Sequence, residues 1–255
     1  MYTSIQTDAF IEYQDFSGQK IMIGMSGGIN SMAVLCFLAT EYPKEKLPKE
    51  LHLFYAHFEE HSGDTFDFVK AGVAYAERQF PTGVQVVYKN TWNSVNTFFG
   101  QQRTIPHPTN SMCSRVLKRE VMMKYLKENE IDFDLVGFVR HEKGRMTRQQ
   151  SYNNDESNAK VYPITTMTDE DCEAICEREI GWVPAIYKIK ENGKRVFKHN
   201  NCLPCKNMHD YQLKKVKEYY PDRYARALQT AKDLGQHWGR KDEVDELICP
   251  TCDWD

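Results

Sequence analysis

Lys20 to Leu38 reads KIMIGMSGGINSMAVLCFL, an apolar run that breaks at Ser26-Gly27-Gly28-Ile29-Asn30-Ser31 and resumes with helical spacing. Ile21, Met22, Ile23 and Met25 suit a buried strand, and Met32, Leu35, Cys36 and Leu38 recur at the intervals of a helix. A strand that turns through two glycines into a helix leaves the first helical N–H groups pointing at the turn, where anions bind. Gly27 and Gly28 permit backbone conformations closed to other residues and a close approach by phosphate, while Ser26 and Ser31 can add hydroxyl donors. The plainer alternative is a strand-to-helix turn without a ligand. The two serines flanking the glycines favour a phosphate cradle.

Working outward, Glu50 to Phe58 reads as a second strand and Asp64 to Phe80 as a helix with Phe66, Val69, Val73 and Ala76 on one side. Val84 to Tyr88 reads as a third strand, Ser114 to Glu130 as a helix and Asp134 to Val139 as a fourth strand. Strands alternating with helices indicate an α/β fold with a parallel sheet covered on both faces, whose ligands sit beyond the carboxyl ends of the strands. The polar clusters Ser26 to Ser31, Glu59 to Asp64 and Arg140 to Arg148 each follow a strand end, consistent with one shared site. The expected division is an α/β domain at 1–148, a polar mobile loop at 149–160 and a C-terminal part at 161–255. In that last part Thr168 should cap a helix carrying Cys172 and Cys176, Asn192-Gly193 should turn a hairpin, and Pro221 should begin a helix.

At 255 residues with 41% hydrophobic content the chain can bury a full core, and its formal charge of −3 gives no general pull towards nucleic acid. No apolar run has the length of a membrane span and the N-terminal residues lack a signal-peptide pattern, so a cytoplasmic protein without membrane contact is expected. Its eight cysteines are then thiols or metal ligands.

Three further clusters carry chemistry. Cys113 opens a helix with Arg115, Lys118 and Arg119 behind it, a setting that favours thiolate and could hold phosphate or sulfate; a buried cysteine before a solvated basic face is the alternative. Arg140, Lys143, Arg145 and Arg148 follow the fourth strand and suit a polyanion, with Glu142 orienting an arginine. Cys202-Leu203-Pro204-Cys205 and Cys249-Pro250-Thr251-Cys252 are two CxxC pairs that could together hold zinc or an iron–sulfur cluster, or act as two redox pairs.

SGGINS resembles the SGGxxS loop of the PP-loop superfamily, which includes ATP pyrophosphatases and phosphoadenosine phosphosulfate (PAPS) reductases. MCSRVLK around Cys113 is similar to the Cys-Ser/Thr-x-x-x-Lys segment of the PAPS reductase-like family. GFVRHEKGRMTR, YPITTMTDEDC and NCLPCKNM follow in that family's order. The resemblance implies a parallel-sheet nucleotide-binding domain holding ATP or PAPS at Ser26, Gly27, Gly28, Asn30 and Ser31, with magnesium as a companion. Cys113, Lys118, Arg140 and Arg145 are the implied catalytic residues, and Cys113, Cys202, Cys205, Cys249 and Cys252 the implied ligands of a [4Fe-4S] cluster or zinc. Asn30 departs from the SGGxDS form common in ATP-using members.

The implied activity is sulfur or adenylyl transfer, resembling DNA-phosphorothioation and tRNA-thiolation enzymes. The implied partners are a sulfur donor or thioredoxin-like protein, a nucleic-acid substrate and a second copy in a homodimer. Three rivals stand beside it: a sulfonucleotide reductase using Cys249 or Cys252, a degenerate nucleotide-binding module with structural zinc, and a zinc-ribbon nucleic-acid binder built on the basic stretch Lys188 to His199. The Glu-Cys-Gly-x-His motif of the reductases is absent from the sequence.

Overall fold

A computed structural model describes residues 13–80, 83–89, 94–105, 112–152, 159–205 and 207–236. In chain order the first elements are β1 (Lys20–Gly24), α1 (Ile29–Thr40), β2 (Glu50–Ala56), α2 (Thr65–Gln79), β3 (Val84–Lys89) and α3 (Val95–Gln102). A π-helical turn (Cys113–Arg119) then leads into α4 (Glu120–Glu128), followed by β4 (Phe133–Leu135), α5 (Lys143–Tyr152), β5 (Ala159–Val161) and α6 (Asp169–Ile180). The hairpin strands β6 (Lys190–Glu191) and β7 (Lys194–Arg195) and the helices α7 (Asp210–Tyr219) and α8 (Pro221–Leu234) follow. By contacts the chain divides into two compact units. The first comprises Met1–Tyr55, Thr65–Lys89 and Met122–Val183, and the second Ala56–Asp64, Asn90–Val121 and Pro184–Asp255.

The first unit is built on an α/β sheet of strand order β3-β2-β1-β4-β5, in which β1 pairs parallel with β2 and β4, and β4 with β5. Ile21, Met22 and Ile23 of β1 are fully buried, which explains a continuous apolar run where a half-exposed strand would alternate. Alternation along β2 shows the two covered faces: His52 and Phe54 meet Tyr125 of α4, while Tyr55, of opposite parity, stacks on Phe66 of α2. Central α1 is buried on nearly every side and packs on α2 and α6. Thr168 caps α6 as expected, in a reciprocal pair with Asp171, and Gly181 ends it in a left-handed conformation.

Several elements differ from the sequence expectation for identifiable reasons. The buried face of α2 runs through Phe68, Val69, Gly72, Tyr75 and Ala76, because Gly72 lies against Met32: a Cβ there would come within 2.5 Å of Met32 Cε. The fourth strand ends at Leu135, before Val139, because the chain must pass the first turn of α1. A Cβ on Gly137 would approach Asn30 O to 2.7 Å. Residues 143–152 form α5, which carries most of the arginine segment and the start of the expected loop, 159–161 form the edge strand β5, and 153–158 lie outside the described residues. Lys160 of β5 is buried in a 3.0 Å ion pair with Asp134 of β4, so a lysine in a polar stretch is a sheet residue.

The second unit has its own core of Phe58, Val95, Phe98, Phe99 and Leu117. Its α3 has a face of three buried residues, Val95, Phe98 and Phe99, and packs on α8, which in turn packs on α7. The hairpin β6–β7 forms around Asn192 and Gly193, whose φ values of 49° and 76° are those of the tight turn that Asn-Gly favours. Pro221 opens α8, where its missing N–H costs no intrahelical bond. The helix expected over 114–130 is two pieces, the π-helical turn and α4. Among the described residues no helix is long and apolar enough to cross a membrane.

Candidate functional site

The serine–glycine loop joins β1 to α1 at the carboxyl edge of the sheet, between β1 and β4, where the strand order reverses. In open α/β sheets this is where ligands bind. The two serine hydroxyls bond within the loop. Ser31 Oγ donates to Gly28 O at 3.1 Å and accepts from Ser26 N at 3.1 Å. Ser26 Oγ lies 3.0 Å from Ser31 Oγ and accepts from Gly28 N at 3.2 Å. Each hydroxyl has one proton. With the Ser31 proton on Gly28 O, the Ser26 proton goes to Ser31 Oγ, and both serines shape the loop instead of offering donors outward.

Gly27 is constrained twice: its φ is +76°, and a Cβ would sit 2.2 Å from Thr65 Cγ2 at the start of α2. Gly28 is the N-cap of α1, contributes no side-chain cap, and the first turn contains no acidic residue. The positive end of the helix dipole is therefore not neutralised from within its own first turn. Asn30 stands half-exposed in that turn as a neutral amide.

The arginine segment follows β4 in the same unit. Arg140 Nε and Nη2 both donate to Thr166 O, at 3.1 and 2.7 Å, and Arg140 N donates to Met167 O. Arg145 Nη1 donates to Glu142 Oε1, and the guanidinium lies 4.9 Å from the Phe138 ring centroid; Phe138 is stacked on Tyr162. Buried Glu142 also accepts from Val139 N at 3.4 Å, so it holds an arginine and its own backbone turn. Arg140 bonds an uncharged carbonyl and interacts with the Asp171 carboxylate through charge, whereas Arg145 is paired directly with a carboxylate.

The thiols of the second unit are organised by the segment Ala56–Asp64. Glu60 O accepts from Leu203 N at 2.8 Å, inside the Cys202–Cys205 pair. The buried Glu60 carboxylate accepts from Ser94 Oγ at 2.5 Å, Val95 N at 2.9 Å and Asn96 N at 3.1 Å, neutralising the N-terminus of α3. Glu59 O accepts from Arg223 Nη1 of α8, and Lys118 Nζ lies 5.4 Å from the Phe58 ring centroid. Cys113 and Cys202 both pack against the Phe58 cluster.

Apolar surroundings push the Cys202 thiol up to about 12, with Lys118 opposing and Cys205, Glu60 and Cys113 reinforcing. His61, 4% exposed, is held well below its ordinary value by burial and then by the charges of Lys118, His57 and Arg223, so it is a neutral imidazole. Glu60, His61 and Arg223 were not singled out from sequence. Glu60 and His61 lie in the expected polar cluster after the second strand, but nothing local marks Arg223, in a helix 164 residues from Glu59.

Lys118, Cys113, Cys202 and Cys205 thus belong to the second unit, and Ser26 to Ser31 with Arg140 and Arg145 to the first. Cys249 and Cys252 lie outside the described residues. Among the described residues no group of three or more His, Cys, Asp and Glu is placed to hold a metal ion, so these residues alone do not fit zinc or a cluster. Cys36, Cys172 and Cys176 are fully buried packing residues; Cys176 Sγ donates to Ile29 O at 3.5 Å.

Residues 20–187 match the model of the phosphoadenosine phosphosulfate reductase domain. No curated protein gives a match. Among solved structures, the chain is similar to the U34-tRNA thiolase NcsA from Methanococcus maripaludis with its [4Fe-4S] cluster (14% identity, 98% of this chain and 82% of that chain, TM-score 0.49). It is also similar to PAPS reductase from Candida auris in a phosphate complex (13%, 65% and 74%, 0.43) and to NMN synthetase from Francisella tularensis (9%, 83% and 88%, 0.41). The family match spans β1, the serine–glycine loop, the Cys113 segment and the arginine segment up to Tyr187, and with it the chain belongs to the phosphoadenosine phosphosulfate reductase domain family.

Proposed function

We propose that this chain is an enzyme that binds an adenine nucleotide, ATP or PAPS, at Ser26 to Ser31 and carries out sulfur or adenylyl transfer. The observation that carries the reading is the internally bonded serine–glycine loop, set at the reversal of strand order and opening a helix without acidic residues in its first turn. Because both hydroxyl protons and the N–H groups of Ser26 and Gly28 are used within the loop, backbone N–H groups at the start of α1 supply the phosphate donors. Arg140 offsets the charge that develops on the transferred group, and Arg145, paired with Glu142, positions the turn. In adenylyl transfer an acceptor oxygen forms a bond to the α-phosphorus as the bond to the pyrophosphate oxygen breaks.

The thiol cluster of Cys113, Cys202 and Cys205 is the sulfur-handling part of the same reading, with Lys118 as its cation. Cys202, a neutral thiol in its present surroundings, does not act as the nucleophile without a change of environment. In this reading Cys249 and Cys252 would join these thiols in holding a metal, and no step is assigned to it. Iron, zinc and acid-labile sulfide analysis of the anaerobically purified full chain tests that part alone.

The main test is calorimetric titration of the full chain with ATP and with PAPS, followed by assays for pyrophosphate and sulfite release. Binding lost in Gly27→Ala supports the site, and unchanged affinity overturns it. A non-catalytic nucleotide-binding module is the second reading, favoured by Asn30 where a carboxylate would hold magnesium. Turnover of either nucleotide by pure protein eliminates it.

A further inference from the structure

Residues 184–236 of the second unit hold twelve Lys and Arg against five Asp and Glu, in a chain whose formal charge is −3. Much of this excess is exposed: Lys188, Lys190, Lys194 and Lys198 on and beside the hairpin β6–β7, and Lys214 and Lys217 on α7. The large exposed hydrophobics among the described residues are Tyr88, Tyr211 and Tyr219, and the last two lie here, 50% and 40% exposed. They are fixed in place by Glu191 of the hairpin, which accepts from Tyr211 OH at 2.6 Å and from Tyr219 OH at 3.4 Å, and pairs with Lys215 Nζ at 2.5 Å. Lys215 lies between the two rings, 5.8 and 5.9 Å from their centroids.

The register gives this cluster a direction. Glu191 and Lys194 are cross-strand partners and share a face, so the exposed Lys194 stands on the side where the two tyrosines meet the hairpin. Glu191 is occupied by three donors, Lys215 pairs also with Glu218 at 2.8 Å, and Gln212 Nε2 donates to Val196 O, fastening α7 to the hairpin. The result is a preorganised surface of lysines around two anchored rings. Tyr211 and Tyr219 are eight residues apart on one helix, about 12 Å along its axis at the backbone, with their hydroxyls converging on Glu191 and both side chains exposed.

We propose that the hairpin β6–β7 and the Tyr211–Lys215–Tyr219 stripe of α7 form a binding surface for single-stranded nucleic acid. The lysines neutralise phosphates, and the tyrosine rings stack on unpaired bases. A duplex has no unpaired base faces for the rings, and an acidic protein would satisfy the lysines without them. The proposal is independent of the nucleotide reading of Ser26 to Ser31, and failure of the parent chain to bind ATP would leave it standing.

The test is fluorescence anisotropy of the full chain with a labelled single-stranded oligonucleotide of mixed sequence. About four phosphate contacts predict a log–log salt slope near −3, or affinity about 50-fold weaker on raising salt from about 50 to about 200 mM. Tyr211→Ala and Tyr219→Ala should each weaken binding about ten-fold, while Tyr211→Phe, which keeps the ring and loses the bond to Glu191, should stay within about two-fold. Lys194→Glu with Lys214→Glu, which keeps the Asn-Gly turn, should remove most of the affinity. Absent binding at low salt, or binding indifferent to the loss of both rings, would overturn the proposal. Equal competition by duplex or by polyglutamate would do the same, the latter pointing to an acidic protein partner.

Discussion

The serine–glycine loop and the thiol cluster are assembled in opposite ways. The bonds that tie the two serines into the loop join residues at most five apart, from Ser26 to Ser31. The thiol cluster is assembled by contacts of long separation: Glu60 to Ser94 and its neighbours, Glu60 to Leu203, and Glu59 to Arg223. A site closed by local bonds can be recognised from a short string of residues, and a site closed by the fold cannot. The loop should accordingly fail through backbone geometry, and the cluster through loss of buried polar contacts.

The largest effect should come from Gly27→Val, which imposes a β-branched side chain on a positive φ and drives it into Thr65. The strain and the overlap together cost on the order of 4 kcal/mol. Thermal unfolding should show that loss, and calorimetry should show no nucleotide binding; near-parental behaviour would mean the loop is not held as described. Glu60→Ala comes next, leaving two N–H groups and a hydroxyl without their acceptor at a cost of about 3 kcal/mol by urea unfolding. It should also raise the rate at which Cys202 reacts with a thiol reagent while nucleotide affinity stays unchanged. Equal loss at both sites would erase the contrast between them.

A smaller effect concerns pH. His61 binds its proton well below the ordinary histidine value in the folded chain, whereas the unfolded chain protonates near 6.5. Below that value the unfolded state holds more protons, so stability falls as the pH drops from about 6.5 towards the folded value, by up to about 1.4 kcal/mol per pH unit. His61→Gln should flatten that dependence in denaturant titrations; His52, shifted the same way, contributes to what slope remains, as do carboxyls held low such as Glu179 and Asp171 at lower pH. The smallest effect is a control in the second unit. Gly63→Ala, at an exposed position with nothing within 4 Å of the added Cβ and no positive φ, should change stability by less than about 0.5 kcal/mol.

Other elements repeat the lesson of the two sites. The β1–loop–α1 unit, the cap of α6, the Asn-Gly hairpin and the start of α8 at Pro221 were all legible, because each depends on residues within one or two turns. The edge strand β5 was hidden by a polar neighbourhood, since Lys160 becomes a sheet residue only through Asp134, 26 positions away. The buried face of α2 was misaligned because its contact line passes through a glycine, which counts as neutral in an apolar pattern but allows the closest approach to Met32.

By itself the sequence determined the α/β class, the serine–glycine loop and the paired cysteines, because strand periodicity, glycine conformation and ligand spacing are properties of neighbouring residues. Tertiary structure decided what those residues do. It bonded the two serine hydroxyls within the loop, tied Arg145 to Glu142 while leaving Arg140 on a carbonyl, and gathered Glu60, His61, Lys118 and Arg223 around the thiols. The physical reason is that hydrogen-bond partners, desolvation and the sign of nearby charge depend on distance in space, which a linear pattern does not contain.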